Sequence, residues 1–104
     1  MISQVEACVD AGSNIVSMSL GGGGFSNTEN EAYNRIYNDQ NVLLVAAAGN
    51  DGNSAYSYPA SYDAVMSVAA VSSNGNVASF SQYNDQVDIA APGVDVMSTI
   101  PNNR

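Results

Sequence analysis

The run Val42-Leu43-Leu44-Val45-Ala46-Ala47-Ala48-Gly49-Asn50 constrains the fold more than any other stretch of the chain. It is far shorter than the roughly 18–20 apolar residues of a membrane helix. Its valines suit a strand better than a short helix, and a continuous apolar run reads as a strand buried on both faces. The side chains then dwindle to alanine, which lets another group approach the strand end closely. Gly49 frees the backbone, and Asn50 sets a neutral carboxamide donor at the carboxyl edge. In open α/β sheets that edge is where ligands sit.

The chain has 104 residues, enough for one small domain, and 45% of them are hydrophobic, so a core rather than disorder is expected. Ten acids against two arginines leave a net charge of −8, which makes nucleic acid and anionic membranes poor partners. The single Cys8 rules out an internal disulfide. Met1–Glu6 has neither the basic start nor the apolar run of a signal peptide, and none is expected in this sequence. Histidine is absent. No Ser-His or Cys-His pair and no His-based zinc site can be assembled from these residues alone.

Ile2, Val5, Cys8 and Val9 recur at helical spacing over residues 2–11, with Gly12 as a C-terminal cap. Cys8 on that face is expected in the core rather than as a nucleophile. A strand over 15–19 leads into Gly21-Gly22-Gly23-Gly24, which cannot hold regular structure. Ser26-x-x-Glu29 has the form of a capping box. A helix to about Asp39 follows, with Ala32, Tyr33, Ile36 and Tyr37 as its apolar stripe and Glu29 and Glu31 in its first turn. The 42–47 strand comes next and completes a βαβ unit with parallel strands and a right-handed crossover. A polar loop spans 49–63, strands are expected at 65–71 and 87–91, and a short extended piece at 77–81. A brief Val96-Met97-Ser98 precedes Pro101. Two helices cannot cover both faces of four strands, so the chain is expected to be part of a larger α/β domain.

Several residues could carry chemistry, and each has a plainer reading beside it. Ser19-Leu20-Gly21-Gly22 is either a flexible connection or an exposed backbone edge that pairs with an extended peptide. A phosphate cradle is disfavoured, because no Gly-Lys-Ser/Thr follows. Asn50 is either a turn residue after glycine or an amide aimed at developing negative charge. The Tyr56–Tyr62 segment either packs aromatics under the loop or offers backbone carbonyls to a hard cation. Asp51-Gly52-Asn53 resembles a piece of a calcium loop but lacks its later Glu. Most of the scattered acids are expected to be solvated surface.

Read in order, Ser19-Leu20-Gly21-Gly22, Ala46-Ala47-Ala48-Gly49-Asn50, Tyr58-Pro59-Ala60, Val68-Ala69-Ala70-Val71, Ala78-Ser79-Phe80-Ser81 and Ala90-Ala91-Pro92-Gly93-Val94 resemble the subtilisin-like serine proteases over essentially the whole chain. The resemblance implies a partial subtilisin-like α/β fold, a parallel sheet with flanking helices forming a three-layer α/β/α piece. It implies that the edge Ser19, Leu20 and Gly21 pairs with an extended polypeptide substrate. It also implies that Ala47, Ala48 and Gly49 wall the pocket for the side chain before the scissile bond. Asn50 would donate to the oxyanion, and Asp51, near the pocket floor, would modestly favour basic side chains. The carbonyls of Ala60, Tyr62 and Val65 would offer a weak Ca or Na site; no cofactor is required.

The family's catalytic Asp and His motifs precede the matched region, and its Gly-Thr-Ser-Met-Ala nucleophile motif is expected shortly after Pro101-Asn102-Asn103. None of them is in the sequence. Residues 1–104 are therefore expected to be the central part of a peptidase domain, incomplete at both ends and inactive in isolation. The rest of that domain would be a partner, and the parent is expected to be secreted. A related family built on Ser-Glu-Asp places Asp where Asn50 stands, which argues against it. The alternative is a non-catalytic peptide-binding module derived from the protease fold.

Overall fold

The computed structural model describes residues 1–103. In chain order the elements are α1 (Ile2–Asp10), β1 (Ile15–Met18), α2 (Asn27–Gln40), β2 (Leu43–Ala47), β3 (Val65–Val71) and β4 (Val87–Pro92), with a short 3-10 turn at Pro101–Asn103. The strands form one sheet in the order β1-β2-β3-β4, and every neighbouring pair is parallel. No strand forms at Val96–Ser98, and the expected extended piece at 77–81 reduces to an isolated bridge between Val71 and Val77.

α1 closes with paired bonds from the Gly12 and Ser13 N–H groups to the carbonyls of Val9 and Cys8, at 2.9 and 3.0 Å, which satisfy carbonyls the helix end leaves free. Val5 is buried and Ile2 and Val9 pack against the core, but Cys8 is exposed. The expectation of a core cysteine is corrected by geometry. At 100° per residue, Cys8 lies about a quarter turn from the centre of the Ile2-Val5-Val9 stripe. The same holds for Tyr37, which is exposed while its stripe neighbours Ala32, Tyr33 and Ile36 are buried. Glu29 lies in the first turn of α2, and Glu31 lies beyond it.

The capping box at Ser26 is built with an inserted group. Ser26 Oγ accepts from the Glu29 N–H at 3.4 Å. The Glu29 carboxylate does not return to the Ser26 N–H. The Tyr62 hydroxyl stands between them, accepting from Ser26 N–H at 3.0 Å and donating to Glu29 Oε2 at 2.9 Å. The start of α2 is thereby tied to the loop between β2 and β3.

One core cluster joins Val5 of α1, Tyr33 and Ile36 of α2, Val16 and Met18 of β1, Leu44 and Ala46 of β2, and Val65 of β3. These strand residues alternate, so both helices cover the same sheet face. On the opposite face Leu43 and Val45 are half-buried, and Ile15, Ser17, Ala47 and Met66 are exposed. The expectation that the 42–47 strand is buried on both faces is thus corrected: the described residues supply helices for one face.

β4 meets β3 with a register shift between Ser67 and Val68 that leaves Asp88 without a ladder partner. Its carboxylate accepts from the Ser67 N–H at 2.8 Å and replaces the missing ladder bond. This acid serves the sheet; it is not free surface charge.

Candidate active-site cleft

β1 and β2 are neighbours and run parallel, so the segments leaving their carboxyl ends emerge side by side. Ser19–Gly21 leave β1 outside any ladder, and Gly22 then bridges to Tyr58, its N–H donating to the Tyr58 carbonyl at 3.1 Å. Ala48–Asp51 leave β2, with the Ala48 N–H held by the Val68 carbonyl at 2.9 Å.

Between these segments lies a cavity of about 430 Å³. Ser19–Gly22 line it from β1, Ala47 and Gly49–Asp51 from β2, and Ser57 and Gln82 complete the lining. Seven of the residues singled out from sequence thus meet at one place: Ser19, Leu20, Gly21, Ala47, Gly49, Asn50 and Asp51. Ala48 does not line the cavity and is buried. Ala60, Tyr62 and Val65 are also buried and lie elsewhere, Ala60 and Tyr62 in the turn leading to β3 and Val65 at its first position. There the Tyr62 carbonyl already accepts from the Val65 N–H at 3.0 Å.

Two of the glycines at the cleft leave no room for a side chain. A Cβ on Gly21 would come within 2.8 Å of the Ser57 hydroxyl oxygen. Gly49 sits at φ +121, a conformation that side chains disfavour, and a Cβ there would overlap Gln82 Oε1 and lie 2.6 Å from its Cδ. Asn50 and Asp51 are exposed, and Asp51 is the one ionisable side chain among the residues lining the cavity. The cleft is therefore lined by backbone edges, two serines, the exposed amide of Asn50, the buried amide of Gln82 and one carboxylate.

Gln82 was not singled out from sequence. It is 2% exposed. Its N–H donates to the Gly49 carbonyl at 3.1 Å, its Oε1 accepts from the Asp51 N–H at 3.4 Å, and its Nε2 donates to the Ala55 carbonyl at 2.7 Å. Further bonds run the same way: Gly52 N–H to the Phe80 carbonyl and Tyr83 N–H to the Asn53 carbonyl, at 2.9 and 3.1 Å. Tyr56 donates its hydroxyl to Asp85 at 2.7 Å, and that bond raises the Tyr56 pKa. Residues 80–85 thus brace the loop that carries Asn50. These contacts span about thirty residues of chain, and no local motif announces them.

Among the described residues no group of three His, Cys, Asp or Glu side chains is placed to hold a metal. Any cation at the 60–65 turn would depend on backbone carbonyls. Among the described residues, no helix is long and apolar enough to cross a membrane.

A family model described as the Subtilase family matches residues 1–104. The chain is 47% identical over 100 residues to the thermostable alkaline protease of Halalkalibacterium halodurans, covering 96% of this chain and 27% of that protein. It is 46% identical over 89 residues to the minor extracellular protease Epr of Bacillus subtilis, covering 85% and 14%. Among solved structures it superimposes with a TM-score of 0.86 and 57% identity on the psychrophilic subtilisin-like protease Apa1 of the Antarctic psychrotroph Pseudoalteromonas sp. AS-11, covering 89% of this chain and 21% of that one. The chain thus spans about a quarter or less of the length of each of these proteins.

Proposed function

The chain belongs to the subtilase family of serine proteases, and on that premise we propose that residues 1–104 form the substrate-binding and oxyanion-stabilising centre of a subtilisin-like serine endopeptidase. One observation carries this reading: Ser19–Gly21 and Gly49–Asn50, from adjacent parallel strands, line the same cavity. An extended polypeptide would lie along Ser19–Gly21 as an added strand, bonded through its main chain. Ala47 and Gly49 would wall the pocket for the side chain before the scissile bond, and Asp51 would modestly favour a basic one. When the attacked carbonyl becomes an oxyanion, the Asn50 amide would donate to it. Such a donor accelerates reaction because it meets charge that exists only in the transition state.

The attacking Ser, the His that moves its proton and the Asp that orients the His would come from chain beyond these residues, since the sequence holds no histidine. Residues 1–104 are on this reading the middle of a peptidase domain, and the rest of that domain is their partner. The uncovered sheet face supports it, because a parallel sheet is covered on both faces. An extracellular setting is proposed from the printed name of the Epr relative. A weak Ca or Na site on the carbonyls of Ala60, Tyr62 and Val65 is proposed as structural, with no part in the chemistry.

A chimera tests the reading: residues 1–104 replace the matching stretch of the H. halodurans protease. It should hydrolyse a chromogenic extended peptide, and Asn50→Ala should lower kcat by roughly 10²–10³-fold with KM little changed. Unchanged kcat in Asn50→Ala would overturn the oxyanion role. Hydrolysis by the isolated 104 residues, blocked by serine-protease inhibitors, would overturn the placement of the triad elsewhere.

A further inference from the structure

Asn50 sits between two peptide units that are both held by one side chain's residue. Gln82 takes the carbonyl of Gly49 through its own N–H at 3.1 Å. It takes the N–H of Asp51 through its carboxamide oxygen at 3.4 Å. The carboxamide is itself fixed, because its Nε2 donates to the Ala55 carbonyl at 2.7 Å. It is buried, with 2% of its surface exposed, and it fills the space that a Cβ on Gly49 would need. A buried amide with both ends paired has one orientation, since reversing it would set donor against donor and acceptor against acceptor. The preceding and following peptides of Asn50 are thereby referenced to one rigid point.

We propose that Gln82 is a positioning residue that fixes the direction in which Asn50 presents its amide to the reacting carbonyl. The inference rests on the oxyanion role proposed for Asn50. Gln82 does not touch the reacting atoms; it acts through the Gly49 carbonyl and the Asp51 N–H. Oxyanion stabilisation depends on donors already aimed before charge develops, so slack in this loop should lower turnover more than substrate binding.

Two variants test it in the chimera. Gln82→Met keeps volume and loses both side-chain bonds; kcat should fall about tenfold or more with KM changed less than about twofold. Gln82→Glu keeps the shape. As a neutral acid it can still donate to Ala55 and accept from Asp51, but as a carboxylate it opposes the Ala55 carbonyl. Burial favours the neutral form, so the ratio of its kcat to that of the unmutated chimera should rise as pH is lowered from about 8 to about 6. Asn50→Ala combined with Gln82→Met should be no slower than Asn50→Ala alone, because one effect passes through the other.

If Asn50→Ala lowers kcat while both Gln82 variants keep kcat at every pH, the inference falls and the oxyanion reading stands. If the two losses multiply, or if the Gln82→Glu ratio is low and stays flat as pH is lowered to about 6, Gln82 is only a packing residue. If Asn50→Ala itself has no effect on kcat, the underlying reading has failed instead. Should Gln82→Met not fold, the pH profile of the isosteric Gln82→Glu decides alone.

Discussion

The Tyr62 hydroxyl donates to the Glu29 carboxylate at 2.9 Å while accepting from the Ser26 N–H at 3.0 Å, and so completes the N-terminal cap of α2 from a distant loop. Burial and then Glu29 raise the Tyr62 pKa, and the Ser26 N–H opposes them. Tyr62→Phe keeps the ring and deletes both bonds. The variant should lose about 1–2 kcal/mol, because a backbone donor and a carboxylate lose a partner together. Denaturant unfolding of the chimera, with its nucleophilic serine replaced by alanine to prevent autolysis, measures this. A loss below about 0.3 kcal/mol would mean that water replaces the hydroxyl at no cost.

Gly49 and Gln82 should be coupled energetically. Gly49→Ala places a methyl inside the Gln82 carboxamide at a φ of +121. Gln82 can yield only by giving up its bonds to Ala55 and Asp51. The cost should be about 3 kcal/mol, as strain and overpacking add. Combining it with Gln82→Ala should recover part of that cost, because the overlap goes and the backbone strain stays. Additive losses in the double variant would contradict the contact.

How much the sequence reveals differs between the two halves of this pair. β3 is legible over its full length, Val65–Val71, because an apolar run between turn residues has few other uses. The helix start at Ser26 and the converging strand ends are legible for the same local reason. Gln82 is not, since its partners are Gly49, Asp51 and Ala55 and a glutamine among polar neighbours carries no pattern. The Tyr62 hydroxyl is hidden because Ser26-x-x-Glu29 already looks like a complete cap. Cys8 and Tyr37 mislead because an apolar stripe read by spacing alone has no sharp edge, and only packing decides which side chains fall outside it.

Tyr33 should carry a pH signature. Its pKa is pushed up to about 12, first by burial and then by Glu29 and Tyr62. The folded state holds the phenolic proton more tightly than the unfolded state, whose value is near 10. Its contribution is therefore complete below about pH 10 and is lost as pH rises toward about 12. Stability should fall across that window, and Tyr33→Phe should shallow the fall. The Tyr33 hydroxyl is buried without a protein partner among the described residues, so the same variant should be neutral or more stable near pH 7, by up to about 1 kcal/mol. Thermal melts from pH 7 to about 11 read both effects; an unchanged slope would contradict the burial of this group.

The Asp88 carboxylate should be worth more than its exposure suggests. Ser67 is 1% exposed, and its N–H has Asp88 in place of a ladder carbonyl. Asp88→Ala should cost about 1–2 kcal/mol, and Asp88→Asn, which keeps an acceptor, about half of that or less. Equal losses in both variants, by the same unfolding measurement, would show that charge rather than the bond to Ser67 matters.

The most direct measurement compares two ligands on the chimera with and without Asn50→Ala. A peptide boronic acid forms a tetrahedral adduct with the nucleophilic serine and places an oxygen where the oxyanion would be. The matching unreactive peptide makes the same contacts to Ser19–Gly21 and the pocket but forms no tetrahedral adduct. If Asn50 serves the transition state, the variant should weaken boronate binding by about tenfold or more and leave peptide binding within about twofold. Equal weakening of both ligands, or no weakening of either, would contradict an oxyanion role for Asn50.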